Sequence, residues 1–117
     1  LTYINAGNEP SIWLTSNGQL TELHPTGPVV GVIPGVVFKA LEIQLSRDDL
    51  VIAYTDGVTD ALDARNNMLG KRRLHEMVKS RPHAPGQMLE AIAAQIRDFS
   101  GEVEQFDDIT MLAMRKV

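Results

Sequence analysis

Five aspartates in this sequence lie at the ends of strand-like segments or in short turns beside them, where carboxylates can bind divalent cations. The five residues are Asp56, Asp60, Asp63, Asp107 and Asp108. Asp56 follows the apolar run 50–54, which is long enough for one buried strand. Asp107 and Asp108 precede a second strand-like run, so antiparallel pairing of the two strands would bring these acids to one sheet edge. Clustered carboxylates repel each other unless a hard cation neutralises them, and an all-oxygen ligand set favours Mg²⁺ or Mn²⁺.

An ordinary turn is the competing interpretation of the same residues. Asp-Gly at 56–57 and Asp-Asp at 107–108 are both frequent in turns. In the metal interpretation, the buried strand fixes the position of Asp56, and Gly57 permits a sharp turn or a close approach of the backbone to a ligand. Spacing alone leaves both interpretations open.

Other site chemistries have little support in the residues. The absence of cysteine excludes disulfides, thiolate nucleophiles and cysteine-based zinc sites. The histidines have no companion at a ligand or triad spacing, so we interpret His24, His75 and His83 as surface or packing residues. The serines lack a nucleophile-elbow context, and the glycines do not form a phosphate-binding loop.

Composition narrows the class of protein further. The 117 residues fit one domain or a large piece of one, and 44% hydrophobic with 22% charged residues is typical of a soluble globular protein. A net charge of -4 predicts no basic face, so nucleic acid is not an expected partner. No apolar run approaches the roughly 20 residues of a membrane helix. The cysteine-free chain fits a reducing cytosol, so we expect a cytoplasmic protein.

The sequence begins without methionine inside a strand-like segment, which suggests an excised fragment or a processed chain.

The elements that position the acids can be predicted from the pattern of apolar residues. Strands are expected at 1–5, 11–15 and 19–23, and Asn17-Gly18 predicts a type I′ hairpin between the last two. The segment 24–35 reads as a loop with apolar anchors. Period-2 alternation predicts a strand at 37–45, antiparallel to the central strand 50–54.

The second half of the sequence predicts helices and one closing strand. Asn66-Asn67 indicates a turn, and helices are expected at 71–79 and 87–99 with a break at 80–86. A strand is expected at 108–115. Strands followed by helices and a final strand indicate an α+β fold, with antiparallel strands and helices on one sheet face.

Four motifs together resemble one known family. They are the segments 5–10 (Asn-Ala-Gly-Asn-Glu-Pro), 26–31, 49–61 (which contains Thr-Asp-Gly-Val-Thr-Asp-Ala) and 106–112 (which contains Asp-Asp-Ile-Thr). In this order they resemble the C-terminal half of a bacterial SpoIIE-like protein phosphatase, a branch of the metal-dependent type 2C (PPM) serine/threonine phosphatases. The resemblance covers nearly the whole chain.

The resemblance implies an α-β-β-α sandwich of two antiparallel sheets flanked by helices, with two Mn²⁺ or Mg²⁺ ions at one edge. A metal-activated water would attack the phosphorus of a phosphoserine or phosphothreonine, without a covalent phosphoenzyme. Asp56 and Asp107 match metal-coordinating aspartates of the family. Gly57 matches the glycine that accompanies the first of these two aspartates in the family. Asp60 and Asp108 are expected to have supporting roles.

The sequence departs from the family pattern in two places. Asn8 stands where the family usually has histidine after Asn-Ala-Gly, which affects only the expected packing of that loop. The Asp-x-x-Gly-His-Gly-type motif that completes the family's metal site is absent. Residues 1–117 are therefore expected to be the C-terminal portion of a single PPM-type phosphatase domain, holding about half of the ligands and inactive alone.

The expected partner is a phosphorylated protein, and the usual substrate class in this branch is a STAS-type anti-sigma-factor antagonist. A non-catalytic interaction or regulatory module that keeps the scaffold is the alternative. A third interpretation is a metal-binding or dimerising α+β domain, since exposed sheet edges would favour a homodimer.

Overall fold

The computed structural model describes residues 1–80 and 84–117. Their elements, in chain order, are β1 (Thr2–Tyr3), β2 (Ser11–Leu14), β3 (Leu20–Leu23), β4 (Leu41–Glu42), β5 (Leu50–Tyr54), α1 (Asp56–Thr59), α2 (Gly70–Lys79), α3 (Pro85–Ser100) and β6 (Met111–Arg115). The predicted α+β class with antiparallel strands is confirmed. Within the described parts of the chain, no helix is long and apolar enough to cross a membrane.

Strand β5 is the centre of a four-stranded antiparallel sheet with the order β3-β2-β5-β6. Its sequence, Leu-Val-Ile-Ala-Tyr, combines branched and aromatic residues that fit a buried pleated surface. The register with β6 pairs Tyr54 with Met111 and Leu50 with Arg115. The end of β5 therefore lies opposite the start of β6, as the antiparallel pairing proposed from the sequence requires.

Helices α2 and α3 cover one face of this sheet with the apolar stripes that the sequence predicts. The buried side chains are Leu74, Met77 and Val78 from α2 and Met88, Ile92 and Ile96 from α3. They pack against alternate residues of the strands, including Ile12, Leu14 and Ile52. Burial of this aliphatic surface is the main stabilising contribution to the four-stranded sheet.

Helix α3 begins two residues earlier than the predicted 87–99. Pro85 occupies its first turn, where the missing proline N–H is not needed because that position has no intrahelical acceptor. Gly101, with φ of +57°, follows its end. The predicted helix break at 80–86 includes residues 81–83, so that part of the prediction, with His83, lies outside the described residues.

The β2–β3 hairpin is confirmed, but its predicted type I′ turn is wrong. Only Gly18 of the Asn-Gly pair has a positive φ, of +90°. Gly18 N–H donates to Thr15 C=O at 2.9 Å, and Thr15 N–H donates to Gln19 C=O at 2.8 Å. This is a three-residue loop in which glycine follows a type I turn as a bulge, so Asn17 keeps an ordinary backbone conformation.

The predicted strand 37–45 is reduced to the two residues of β4, and it does not pair with β5. Both edges of β5 are occupied by β2 and β6, so β4 pairs with β1 instead, with Tyr3 opposite Leu41. Strand β1 is itself only two residues long, which limits the ladder. Val37, in the predicted strand, is 88% exposed and is therefore not part of the hydrophobic core.

The loop 24–35 is also less anchored than its valines suggest. Val29 lies against the backbone of Gly7, where an added Cβ would be 2.6 Å from its Cγ2 atom. Val30, Val32 and Ile33 are each more than half exposed. The apolar residues of this loop therefore form part of the surface of the described chain.

Candidate functional site

The acidic residues of interest lie where β5 ends and β6 begins. Thr55 extends the contact of the two strands beyond their ladder, because its N–H donates to Thr110 C=O at 3.1 Å. Its hydroxyl donates to Asp108 C=O at 3.1 Å and accepts a hydrogen bond from Thr110 N–H at 3.1 Å. Thr55 thereby holds the segment that carries Asp107 and Asp108 beside the segment that carries Asp56.

Gly57 lies against this second segment so closely that only a hydrogen fits. A Cβ atom at position 57 would be 2.2 Å from the Asp108 carbonyl oxygen and 3.5 Å from that of Asp107. The φ angle of Gly57 is not in the left-handed region, so it is the lack of space that requires glycine here. We call the surface formed by Asp56, Gly57, Asp107 and Asp108 the acidic edge.

The backbone of Asp56 is fixed while its side chain is exposed. Its carbonyl oxygen accepts hydrogen bonds from Asp60 N–H at 2.8 Å and from the Thr59 hydroxyl at 3.2 Å, which closes the single turn of α1. Within residues 1–80 and 84–117, the structure shows no hydrogen bond or ion pair to the Asp56 carboxylate. A carboxylate in this setting can coordinate a cation without losing a protein contact.

Asp107 and Asp108 are exposed and partly fixed by local hydrogen bonds. One carboxylate oxygen of Asp107 accepts a hydrogen bond from Asp108 N–H at 2.7 Å, and the Asp107 carbonyl accepts one from the Gln105 side chain at 2.8 Å. The second carboxylate oxygen of Asp107 has no such partner among the described residues. It is therefore the oxygen best placed to serve as a ligand.

The acidic edge supplies only part of a metal-binding set. Among the residues that the structure describes, no group of three or more acidic, histidine or cysteine side chains is arranged to hold a metal ion. Asp56 and Asp107 nevertheless fit a hard cation, because Mg²⁺ is commonly held by one or two carboxylates and completes its shell with water. Zinc does not fit, since the sequence has no cysteine and no histidine of the described residues 1–80 and 84–117 lies at this edge.

The structure shows the Asp63 carboxylate hydrogen-bonded within its own turn. Its carboxylate accepts hydrogen bonds from the backbone N–H groups of Arg65 (2.8 Å) and Asn67 (2.9 Å) and from the Asn67 side chain (3.1 Å). These bonds, the Asn67 backbone bond first, lower the pKa of Asp63 below its ordinary value. Asp63 thus stabilises the turn predicted at Asn66-Asn67, in which Asn66 has a φ of +61°.

A cavity of about 360 Å³ adjoins the acidic edge and shares Gly57 and Asp107 with it. The predicted supporting residue Asp60 lines this cavity and is exposed. Its backbone contributes the N–H that closes α1. Asp60 therefore lines the cavity and is joined through its backbone to Asp56 of the acidic edge.

Two polar features near β5 were not anticipated from the sequence. Asp49 is 1% exposed, and its carboxylate accepts hydrogen bonds from Trp13 Nε1, Ser16 N–H and Ser46 N–H. At the other end of β5, the buried hydroxyl of Tyr54 has no hydrogen-bond partner among the described residues. The only sequence signal for Asp49 is its position directly before the apolar run of β5.

The fold places the chain in the PP2C class of phosphatase structures. The SiaA-PP2C domain of Pseudomonas aeruginosa superposes with a TM-score of 0.81 and 25% identity, over 96% of this chain and 45% of that chain. The Mn-presoaked phosphatase domain of SpoIIE from Bacillus subtilis superposes with a TM-score of 0.69. Its identity is 16%, over 99% of this chain and 55% of that one, so this likeness concerns the fold.

The chain belongs to the family described as Stage II sporulation protein E (SpoIIE), whose pattern matches residues 1–117. Protein IcfG of Synechocystis sp. (strain ATCC 27184 / PCC 6803 / Kazusa) is 38% identical over 114 residues, which are 97% of this chain and 18% of IcfG. Phosphoserine phosphatase RsbP of Bacillus subtilis (strain 168) is 28% identical over 85 residues, 73% of this chain and 19% of RsbP. The chain thus spans less than one fifth of the length of either relative.

Proposed function

We propose that residues 1–117 are the C-terminal portion of a single PPM-type phosphatase domain that hydrolyses phosphoserine or phosphothreonine in a protein. One observation carries the proposal: Thr55 and Gly57 hold Asp56 and Asp107 on adjoining segments at one sheet edge. Membership of the SpoIIE family supports it, as does the phosphoserine phosphatase activity in the name of RsbP.

In this proposal Asp56 and Asp107 hold a divalent ion, Mn²⁺ or Mg²⁺. When bound, such an ion neutralises charge on the phosphoryl oxygens and lowers the pKa of a water molecule that attacks phosphorus. Gly57 allows the two segments to approach, and Asp108 accepts the Thr55 hydroxyl bond through its carbonyl. Asp60 closes α1 through its N–H and so fixes the backbone that carries Asp56.

The remaining ligands, and a second ion, would come from residues outside this chain. This chain matches only 45% of the SiaA-PP2C chain, and in our proposal the remainder of such a domain supplies them. The proposed substrate is a phosphorylated bacterial signalling protein, with a STAS-type anti-sigma-factor antagonist as the expected class, so the proposed site of action is the cytoplasm.

A phosphatase assay on the complete domain tests this function. We expect Mn²⁺-dependent hydrolysis of p-nitrophenyl phosphate by the complete domain. We expect a loss of about 100-fold or more in Asp56→Ala, because this variant loses a ligand of the ion that supplies several kcal/mol of transition-state stabilisation. The exposed α3 variant Asp98→Ala is the control. Absence of metal-dependent hydrolysis in the complete domain would overturn the proposal, and substantial hydrolysis by residues 1–117 alone would contradict the incomplete site.

A non-catalytic interaction module is the second candidate function. The specific observation in its favour is that the described residues supply too few ligands for a complete metal site. Dimerisation through the exposed edge strands β3 and β6 would be compatible with it. A complete domain that binds a phosphoprotein without hydrolysing it would support this candidate.

A further inference from the structure

The cavity beside the acidic edge has mostly apolar walls. It lies between α1 and the residues that follow it, the last turns of α3 and the connection from α3 to β6. Leu62, Ile96, Val103 and Ile109 provide apolar surface. The volume of about 360 Å³ is large enough for a bulky side chain, and apolar walls with a few polar groups are typical of binding cavities.

The end of α3 gives the cavity its shape. Gly101 N–H donates to Arg97 C=O at 2.8 Å, and the positive φ of Gly101 turns the chain away from the helix axis. The residues that follow then return towards β6 along the cavity. The cavity is therefore a consequence of how the helix ends beside the acidic edge.

The charged groups around the cavity are mainly negative. Apart from Asp107, whose charge the proposed divalent ion would neutralise, Asp60 and Glu104 contribute two carboxylates, against the single guanidinium of Arg97. An acidic side chain that entered the cavity would meet net repulsion from these charges. An apolar side chain would instead leave water and contact Leu62 and Ile96, which is favourable. The cavity is thus complementary to an apolar side chain and unfavourable to an acidic one.

Phe106 is an exposed aromatic residue among those that line the cavity. It is 93% exposed, although phenylalanine is a residue that proteins usually bury, and it directly precedes Asp107. A ligand that contacts Phe106 would therefore be within one residue of the acidic edge. Aromatic residues, phenylalanine among them, are enriched in protein interfaces relative to the rest of the surface.

We propose that this cavity binds an apolar side chain next to the phosphorylated residue of the protein substrate. The proposal rests on the function proposed above. Asp107 belongs to both surfaces, and successive residues of an extended peptide are about 3.3–3.6 Å apart, so a phosphoryl group at the acidic edge brings its flanking residues to the cavity. The site then selects substrates by the flanking residue as well as by the phosphate.

Phosphoserine peptides that differ at one flanking position test the proposal on the complete domain. In one set of peptides the residue directly before the phosphoserine is Leu, Ala or Glu. In the other set the residue directly after the phosphoserine is varied in the same way. We expect kcat/KM for the Leu peptide to exceed that for the Glu peptide by about 10-fold or more in one set, which is the usual discrimination of an apolar pocket. Phe106→Ala and the cavity-filling Ala93→Phe should reduce this ratio to about 2-fold or less. The control Val37→Ala removes an apolar side chain that is 88% exposed, against 93% for Phe106, and that does not line the cavity. This variant should leave the ratio unchanged.

The outcomes separate this proposal from the one on which it rests. Hydrolysis of p-nitrophenyl phosphate, which has no flanking residue, is measured for every variant. If the complete domain hydrolyses it but treats the Leu, Ala and Glu peptides alike, or if the Phe106→Ala variant retains the preference, the cavity proposal is overturned. If the complete domain hydrolyses neither substrate with Mn²⁺, the phosphatase function itself fails. Because Phe106 is almost fully exposed, its variant carries the test even if Ala93→Phe does not fold.

Discussion

Gly57 lies directly against the backbone carbonyl of Asp108, with 2.2 Å between that oxygen and the place where a Cβ atom would be. Real Cβ atoms do not approach a carbonyl oxygen so closely, so the two segments could not keep this distance with any other residue at position 57. The contact fixes how Asp56 and Asp107 are presented at the acidic edge. Gly57 therefore links the fold to the proposed chemistry.

Replacement of Gly57 by alanine should separate these two segments. We expect Gly57→Ala to lower the free energy of unfolding by about 1–3 kcal/mol, as overpacking usually does, and to weaken Mn²⁺ binding. Urea denaturation and Mn²⁺ titration measure the two effects. Gly86→Ala is the matched control, because a Cβ at this exposed position in α3 meets nothing within 4 Å. Equal behaviour of the two variants would contradict the role of Gly57.

The sequence predicted the local elements around the acidic edge better than their pairing. The β5 run and the stripes of α2 and α3 could be recognised in the sequence, because β5 is an apolar run that is buried on both faces and each helix buries one apolar face. The antiparallel pairing of β5 with β6 entered the sequence argument only as a condition for bringing the acids together. The partner of β4 could not be predicted in this way, since it depends on which edges of β5 remain free. The Thr55 and Gly57 contacts depend on strand register, which single-sequence patterns do not determine.

Asp49 should be among the residues most sensitive to substitution. Its buried carboxylate accepts hydrogen bonds from Trp13, Ser16 and Ser46, which join the hairpin to the turn before β5. We expect Asp49→Ala to lower the free energy of unfolding by about 3 kcal/mol or more, because these donors lose a charged acceptor. Urea denaturation followed by circular dichroism measures it. The neighbouring exposed Asp48→Asn should cost less than about 1 kcal/mol, since its ion pairs at 4.0 Å lie on the surface. Similar losses in both variants would refute the role of Asp49.

Tyr54 should titrate well above an ordinary tyrosine. Burial, with smaller contributions from the carboxylates of Glu9 and Glu22, raises the pKa of Tyr54 to about 12. Because the folded-state pKa is higher than the unfolded value, this contribution to stability is complete below the unfolded pKa of about 10 and is lost as pH rises towards 12. Tyrosinate absorbance in Tyr3→Phe, where Tyr54 is the remaining tyrosine, measures it. Titration near pH 10 with the fold intact would disprove this assignment.

Asp63 should stabilise its turn only when it is ionised. Its folded-state pKa is depressed, so the stabilising effect is present above the unfolded carboxyl pKa and disappears as pH falls through the folded value. We expect Asp63→Ala to have a lower unfolding midpoint than wild type at neutral pH and a smaller difference in acid. Thermal unfolding at both pH values, with Asp98→Ala as the control, measures this. A difference that does not shrink in acid would contradict the ionised role.

The most direct test of the acidic edge is a Mn²⁺ titration of this chain followed by amide NMR spectroscopy. Paramagnetic broadening at low Mn²⁺ needs only weak binding, so the incomplete ligand set does not prevent the measurement. We predict that the amide signals of Asp56, Gly57, Asp107 and Asp108 broaden first, and that Asp56→Ala removes this selectivity while Asp98→Ala preserves it. Unchanged broadening in Asp56→Ala, or broadening centred on Glu102 and Glu104, would contradict the assignment of Asp56 and Asp107 to a metal site.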